Sequence, residues 1–327
     1  MTNLWVSTDL GSLRGVCLKT EQNAVVTYDE LSKKNEIVSL TSAENDEELY
    51  CTLKSDLINV FNMSQNIYVN QYEMEGDLLT AFDIGELMLS VAKDGRVYIW
   101  RDEDVAEKFK IGENIECCVK YHGGKIVSGG KENELKVWDL EAQKVVFTSK
   151  NVPRDELDMR VPVWIKSITS PRSDCSTVCV GTHYHQYRQY DMRVKRRPIF
   201  SKSWEELPII SLTASETHCY MGNSKGDIGR LDLRNPKEVN KFRGAAGSVR
   251  SLALHSSEPY LASVGLDRHL RVHNTLTKEV EHKFYLKNKL NSVVFTTERV
   301  KEITADDTED VWQQLEETGK RRKIAAE

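Results

Sequence analysis

Residues 129–140 read Gly-Gly-Lys-Glu-Asn-Glu-Leu-Lys-Val-Trp-Asp-Leu, and this stretch decides the fold. A short apolar segment at residues 126–128 runs into a turn rich in glycine and asparagine, and a second, alternating segment ends in Trp138-Asp139. Alternation with a period of two is typical of a strand, and a tryptophan can wedge one sheet against the next. Strand, turn, strand and a closing Trp-Asp pair together indicate one blade of a β-propeller.

The same pattern recurs along the chain at a nearly constant period. Its closing positions are residues 16, 61, 100, 138, 190, 231 and 273, which are separated by 45, 39, 38, 52, 41 and 42 residues. Five of these six gaps lie close to the ~40–45 residues of a four-stranded WD-repeat blade. We therefore predict an all-β chain, folded as a seven-bladed WD-repeat β-propeller. We expect Trp100 and Trp138 to be buried between blades, and Asp94 and Asp267 to lie in turns between strands.

The two ends of the pattern are incomplete in complementary ways. The first unit, which begins near Leu4, lacks an inner strand, whereas residues 290–295 have a strand pattern that no further strand follows. We expect this last strand to complete the first blade, so that pairing of the N- and C-terminal strands closes the ring and removes exposed sheet edges. The predicted organisation is a propeller over residues 1–300, with an acidic-to-basic C-terminal helix and tail over residues 301–327.

The charge balance and the absence of a visible secretory or membrane-spanning segment limit the classes of partner. The chain has 327 residues, with 50 acidic and 45 basic side chains and a formal net charge of −5, so any contact with RNA requires a local basic patch. No secretory signal and no apolar run of about 18 residues is visible, and no membrane partner is predicted. The seven cysteines, an odd number, are expected to be reduced thiols in the cytosol or nucleus.

No motif in the sequence indicates catalysis or a bound cofactor. There is no glycine-rich phosphate loop before a helix, no nucleophile elbow and no His-Glu-x-x-His pair. Cys175 and Cys179, followed by His183 and His185, only faintly resemble a metal site, because Cys179 lies within an apolar strand, where a cysteine acts as a small hydrophobic residue. We therefore predict a non-enzymatic protein with no cofactor and no metal, and a propeller of this kind is typically a platform for other macromolecules.

The gap of 52 residues contains an insert, residues 150–163, which is the first of two candidate contact sites. Its two prolines exclude it from a central strand, and a long loop on a rigid scaffold often carries a binding site. The alternative is a loop that packs across the face of the ring. Arginine is favoured at interface hot spots, so the candidate contacts with a protein or rRNA partner are Arg154, Leu157, Met159 and Arg160.

The second candidate contact site is a basic run that follows Tyr190. Lys195, Arg196 and Arg197 lie together just before Pro198. Such a cluster can neutralise the phosphates of RNA, which makes these three side chains candidate rRNA contacts. The alternative is a solvated hairpin turn with no binding role.

Beyond the propeller, the character of the sequence changes. A group of acids precedes Trp312, and a group of cations ends the segment, which is the charge distribution that favours a short helix. We expect that helix to pack on the ring or to dock a partner. The cations form a candidate nuclear localisation signal, made of Lys320, Arg321, Arg322 and Lys323.

Several longer stretches resemble the family of WD repeat-containing protein 74, nucleolar WD-repeat factors of large-ribosomal-subunit assembly. The likeness extends over about residues 3–325 and is carried by residues 129–140, 150–164, 196–198, 222–234 and 244–268. The run 250–271 and the insert are far more specific than generic Trp-Asp repeats. It implies a factor in the nucleus and nucleolus that acts on pre-large-subunit ribosomal particles, with pre-rRNA and assembly factors as partners, and is needed for pre-rRNA processing. It also implies that a hexameric AAA-type ATPase, with an RNA-exosome helicase nearby, governs its release. The family has a longer basic tail than the one that ends here at Glu327.

A second interpretation comes from a different class of propeller. Tyr190-Asp191-Met192-Arg193 fits the Trp/Tyr-Asp-x-Arg box of substrate receptors for cullin ubiquitin ligases, and residues 231–234 repeat Asp-x-Arg one blade later. A box of four residues at a natural strand end arises easily by chance in this fold. Co-purification separates the two hypotheses, since one predicts pre-ribosomal RNA and assembly factors and the other a ligase adaptor.

Overall fold

The computed structural model describes residues 3–18, 23–27, 31–85, 87–101, 104–171, 176–236, 239–242 and 245–296. Apart from one short 3₁₀ turn (Lys33–Asn35), the regular structure in these ranges is β. The strands, in chain order, are β1 (Asn3–Thr8), β2 (Ser12–Cys17), β3 (Asn23–Thr27), β4 (Ile37–Ser42), β5 (Glu48–Leu53), β6 (Leu57–Asn62), β7 (Ile67–Glu73), β8 (Leu78–Ile84), β9 (Leu87–Ala92), β10 (Arg96–Arg101), β11 (Asp104–Lys110), β12 (Ile115–Tyr121), β13 (Lys125–Gly130), β14 (Asn133–Asp139), β15 (Lys144–Thr148), β16 (Ile165–Thr169), β17 (Thr177–Thr182), β18 (Gln186–Asp191), β19 (Phe200–Ser203), β20 (Ile209–Ala214), β21 (His218–Asn223), β22 (Ile228–Asp232), β23 (Val239–Phe242), β24 (Val249–Leu254), β25 (Tyr260–Gly265), β26 (His269–Asn274), β27 (Val280–Tyr285) and β28 (Leu290–Thr296).

The strands form seven four-stranded antiparallel sheets, which are the blades of a β-propeller. Blade 1 consists of β28, β1, β2 and β3, and blades 2 to 7 take the following strands four at a time. Within each blade the chain runs from the inner to the outer strand. The upper face of the ring is defined here as the side with the turns between second and third strands and the connections between blades. The lower face is the side from which the other turns start.

The ring is closed by the pairing of its two terminal strands, as predicted. Leu4 on β1 lies opposite Phe295 on β28, and Trp5 lies opposite Val294. The same strands contribute Leu4 and Leu290, both fully buried, to an apolar cluster that extends into blade 7. The sheet edge that β1 would otherwise expose is therefore satisfied by the last strand.

The geometry of the turn in residues 129–140 requires a glycine at position 130. A Cβ atom placed on Gly130 would lie 1.8 Å from the carbonyl oxygen of Asn114, at the end of the preceding connection. No side chain fits there without moving the backbone. The turn of blade 4 can therefore approach the connection from blade 3 only because residue 130 is glycine.

Recurring side-chain pairs tie the second strand of a blade to the third. Trp100 donates from Nε1 to Ser90 Oγ at 2.8 Å, and Ser263 Oγ lies 3.0 Å from His273 Nε2 in blade 7. In both pairs the partners are ten residues apart. Trp100 is 5% exposed, and the ring of Tyr72 from the preceding blade covers it at 5.2 Å between centroids.

Trp138 differs from the expectation of burial. Its Nε1 donates to Ser128 Oγ at 3.1 Å, so the pairing within the blade is the same as for Trp100. Its ring packs at the margin of the cluster between blades 3 and 4, and the residue is only partly buried. In the described part of the chain no aromatic ring from blade 3 covers Trp138 in the way that Tyr72 covers Trp100.

The two aspartates predicted in turns have different environments. Asp94 is exposed and accepts from the backbone N–H of Arg96 at 3.0 Å and from its Nε at 2.6 Å. Partial burial opposes ionisation of this carboxyl, but the two bonds from Arg96 outweigh it and lower its pKa. Asp267 forms a nearly buried ion pair with Arg271, whose Nη1 lies 2.5 Å from Oδ2, and this pair holds the turn of blade 7 against β26.

Among the described residues, no helix is long and apolar enough to span a bilayer.

Candidate functional site

The insert forms the connection between β15 of blade 4 and β16 of blade 5 on the upper face. Its base is fixed by a side chain that the sequence did not single out, Arg188 on β18, which is 2% exposed. Arg188 donates to Asn151 Oδ1 at 2.9 Å, and Asn151 Nδ2 donates to the carbonyl of Val161 at 2.5 Å. Asn151 therefore joins the two ends of the insert, and a buried guanidinium holds Asn151 in place.

The tip of the insert is ordered by its own hydrogen bonds. Asp155 Oδ1 accepts from the backbone N–H groups of Leu157 at 3.0 Å and Met159 at 2.8 Å. Arg154 Nη1 lies 2.9 Å from Asp158 Oδ2 across the same turn. The turn projects two apolar side chains outward, since Leu157 is 76% exposed and Met159 is 55% exposed.

The far end of the insert is attached to the turn of blade 4. Arg160 Nη2 lies 3.1 Å from Glu132 Oε2, and Glu132 Oε1 accepts from the backbone N–H of Val163 at 3.3 Å. Both candidate arginines of the insert are therefore engaged in exposed ion pairs within the protein. The alternative of a loop packed across the face of the ring does not describe the middle of this segment, because residues 153–160 are all exposed.

The structure brings the second candidate, the basic loop (residues 192–199), against the base of the insert. This loop joins β18 to β19 in blade 5. Arg196 donates from Nε to the carbonyl of Thr148 at 2.6 Å and accepts at its own carbonyl from Lys150 N–H at 2.8 Å. Lys195 and Arg197 are exposed and have no acidic partner within ion-pair distance in the described ranges. Two of the three cations thus remain available for an external anion.

An aromatic cluster on the upper face, next to the end of the insert, was not predicted from the sequence. Trp164 stacks on His183 with 3.9 Å between ring centroids, and the amino groups of Lys131 and Lys166 lie 4.8 and 5.1 Å from its ring. Burial lowers the pKa of His183, and the charge of Lys166 lowers it further. His183 is therefore held neutral beside two cations. A tryptophan directly after a long insert was the one available signal.

The two Asp-x-Arg boxes have a local structural explanation. Asp191 Oδ1 accepts from the backbone N–H of Arg193 at 2.9 Å, and Asp232 Oδ1 accepts from that of Arg234 at 2.8 Å. Each aspartate ends a third strand and fixes the turn that follows. A side-chain oxygen that bonds the backbone two residues on is a common turn device, so these boxes occur here for reasons of turn geometry.

Two further candidates cannot be placed. Cys175 of the faint metal pattern and the four cations of the candidate localisation signal lie outside the described residues. Cys179 is fully buried and its Sγ lies 3.1 Å from the hydroxyl of Tyr187. In the described part of the chain, no group of three or more His, Cys, Asp or Glu side chains is arranged to hold a metal ion.

Comparison with known proteins identifies the family. A family model, "WD domain, G-beta repeat", matches residues 236–274, which contain β23 to β26. The chain is 32% identical to WD repeat-containing protein 74 of Homo sapiens and 31% identical to that of Bos taurus, and each alignment covers 98% of this chain and 91% of the relative. It is also 24% identical to ribosome biogenesis protein nsa1 of Schizosaccharomyces pombe, over 91% of this chain and 89% of that protein. The chain therefore belongs to the WD repeat-containing protein 74 family, whose members are WD-repeat scaffolds and not enzymes.

Proposed function

We propose that this protein is a non-enzymatic assembly factor of the large ribosomal subunit, which acts as a propeller platform on pre-ribosomal particles. Relatives from Schizosaccharomyces pombe and Yarrowia lipolytica bear the name ribosome biogenesis protein. A platform needs a rigid body and an ordered contact surface, and the closed ring provides the first. The single observation that carries the proposal is the ordered, outward-facing tip of the insert.

The tip supports contact with a protein partner more than with RNA. Arg154 is paired with Asp158 and Arg160 with Glu132, so neither arginine of the insert presents an unpaired charge. The tip presents apolar surface instead, through Leu157 and Met159. Because hydrogen bonds already order the turn, little conformational entropy is lost when a partner covers it. We assign this tip to a protein component of the particle.

The basic loop supports a contact with pre-rRNA in the same particle. Lys195 and Arg197 offer two unpaired cations, and phosphate contacts of this kind supply affinity without sequence selectivity. The loop touches the base of the insert through Arg196, so a particle could engage both segments at once. The protein would then be bound at the junction between a ribosomal RNA element and an assembly factor.

The finer steps of this function are part of the proposal. We propose a nucleolar location, with the four C-terminal cations as the localisation signal, and a requirement for the protein in pre-rRNA processing. Release from the particle would depend on an AAA-type ATPase, with an RNA-exosome helicase nearby. A release factor of this type must exert force on a folded element, and a ring closed by strand pairing would resist unfolding during extraction.

Purification of the tagged, full-length protein from cells tests the proposal. We expect co-purification of large-subunit precursor RNA and assembly factors, and sedimentation with large-subunit precursors. Depletion should lead to accumulation of unprocessed pre-rRNA. Recovery of a cullin ligase adaptor without precursor RNA would instead favour the substrate-receptor alternative, which has less support because Asp191 and Asp232 already serve turn geometry.

A further inference from the structure

A recess opens on the lower face between blades 2 and 3, on the opposite side of the ring from the insert. Its volume is about 540 Å³. The floor is formed by the ends of the second and third strands, and the rim by the turns after β4 and β8. The side chains that matter for its chemistry are Glu44, Glu48, Tyr50, Tyr72, Asp83 and Trp100.

The carboxylates of the recess are only partly neutralised from within the protein. Lys120, from blade 4, pairs with Glu44 and lies 3.9 Å from Asp83. Asp83 also accepts from the backbone N–H of Glu44 at 2.6 Å. Glu48 is half-buried, and in the described part of the chain its carboxylate has no hydrogen bond and no cation within ion-pair distance. Burial raises the pKa of Glu48, and the charges of Glu47 and Asp83 raise it further.

A second, independent feature is an unpartnered hydroxyl among these acids. Tyr50 is only 9% exposed, lines the recess, and has no hydrogen-bond partner among the described residues. Its electrostatic neighbours are Asp83 and Glu48, and burial together with those charges raises its pKa. The hydroxyl is not fully enclosed by the protein, so it is open to a hydrogen bond from a ligand with N–H donors.

The aromatic walls complete a chemistry that selects positive charge. Tyr72 and Trp100 meet edge to face at 5.2 Å between centroids, and both line the recess. A carboxylate bonds a lysine or arginine head group with charge assistance, and aromatic walls suit the apolar stem of such a side chain. An uncompensated Glu48, the Tyr50 hydroxyl and two aromatic rings therefore converge on the same volume.

We infer that this recess binds a lysine or arginine side chain from a basic segment of a partner protein. RNA is disfavoured as the occupant, because its phosphates would face Glu44, Glu48 and Asp83. The site lies on the opposite face from the insert and the inference does not rest on the proposed function. The chain's own four C-terminal cations are the competing occupant, and the experiment separates the two.

The test uses the full-length protein and a decapeptide of alternating arginine and glycine. Binding is followed through the fluorescence of Trp100, assigned by comparison with Trp100→Phe. A peptide with citrulline in place of arginine has the same shape without the charge. We expect binding of the arginine peptide to be at least tenfold tighter than that of the citrulline peptide, and Glu48→Gln to weaken it by at least tenfold.

Glu47→Gln is the matched control, because Glu47 is exposed, adjacent in sequence and outside the recess. It removes the same charge from the surface and should leave binding unchanged. Equal weakening by Glu47→Gln and Glu48→Gln would overturn the inference, since it would show only long-range attraction. Thermal melting of both variants establishes that they remain folded.

The competing occupant is tested with a variant in which the four C-terminal cations are alanine. If the arginine peptide binds the unmodified protein and this variant equally, the recess is open to an external partner, as inferred. If the peptide binds only the alanine variant, the chain's own tail fills the recess and the inference is wrong. An NMR titration gives an independent readout, because a bound cation should lower the pKa of Glu48 among its neighbours Glu44, Glu47, Asp83 and Lys120.

Discussion

Replacement of Leu157 and Met159 by serine would remove the apolar surface at the tip of the insert. Full burial of one such side chain contributes about 1.5–3 kcal/mol, and these side chains are 76% and 55% exposed before any partner binds. The exposed fractions leave roughly 1–2 kcal/mol for each residue on binding. Together they amount to about 2–4 kcal/mol, which corresponds to a weakening of the Kd by roughly 30- to 700-fold.

The assay measures the affinity of the full-length protein for particles purified from cells depleted of it. The double variant should bind more weakly by the factor above and keep its melting temperature, because surface substitutions away from packed features shift stability by less than about 0.5 kcal/mol. Leu276→Ser is the matched control. Leu276 is 74% exposed but lies on the lower face, in the turn after β26.

Two results would refute the assignment of the tip. An unchanged Kd for a folded double variant would show that Leu157 and Met159 remain solvated in the particle. Equal weakening by Leu276→Ser would show that exposed leucine contributes in the same way from any position. The first result would leave the basic loop as the remaining contact, and the second would point to non-specific association.

Three further predictions concern the basic loop, the closure and the pH dependence of stability. Exchange of Lys195 and Arg197, the two unpaired cations of the basic loop, for glutamate should flatten the salt dependence of RNA binding by about 1.4 in log–log slope, at about 0.7 per contact; an unchanged slope would favour a solvated hairpin. Deletion from Leu290 onward removes β28 and should cause aggregation, whereas deletion from Thr304 onward should leave the melting curve unchanged; similar melting of both would contradict the role of β28. Burial, together with the charge of Arg271, lowers the pKa of His273 to about 4. The unfolded chain therefore takes up a proton below about pH 6.5 that the folded chain does not, and stability should fall by about 3 kcal/mol as the pH falls from 6.5 towards 4. His273→Phe should flatten that part of the curve in pH-dependent denaturant melts.

The fold could be predicted because each blade carries its own local signals. Strand alternation, a turn and a closing residue recur often enough that six gaps define seven units. The closure could be predicted because the first unit lacks an inner strand and the last strand belongs to no unit of its own. The last strand therefore has to complete the first unit. Alternation, turns and closing residues are properties of short segments, so they can be recognised in the sequence of each blade separately.

Burial between blades could not be predicted in the same way. Trp100 and Trp138 occupy the same position in consecutive blades and make the same bond to a serine ten residues earlier. What distinguishes them is the neighbouring blade, which places Tyr72 over Trp100 and no comparable ring over Trp138 in the described structure. The period of the sequence fixes the position of a residue within its blade, but it does not fix what the adjacent blade supplies.

Contacts across blades also explain why the supports of the insert were missed. Arg188 reads in the sequence as one of several polar residues on a strand, yet it is buried and bonds Asn151, 37 residues away. The carbonyl of Arg196, in blade 5, similarly accepts a hydrogen bond from the backbone N–H of Lys150, which follows the last strand of blade 4. Candidate residues on the loops were visible from their composition, whereas the residues that hold those loops belong to a different blade.

The positions of the two surfaces follow from the direction of the strands. Because every blade runs from its inner to its outer strand in the same sense, connections between blades collect on the upper face, and the insert at residues 150–163 is one of them. The other turns within blades start from the lower face, where the gap between neighbouring blades offers a second kind of recognition surface. The recess beside Glu48 uses that gap, with Tyr72 from blade 2 and Trp100 from blade 3. Since the ring is closed between the two faces, a partner at the insert and a partner at the recess would approach from opposite sides, and neither would block the other.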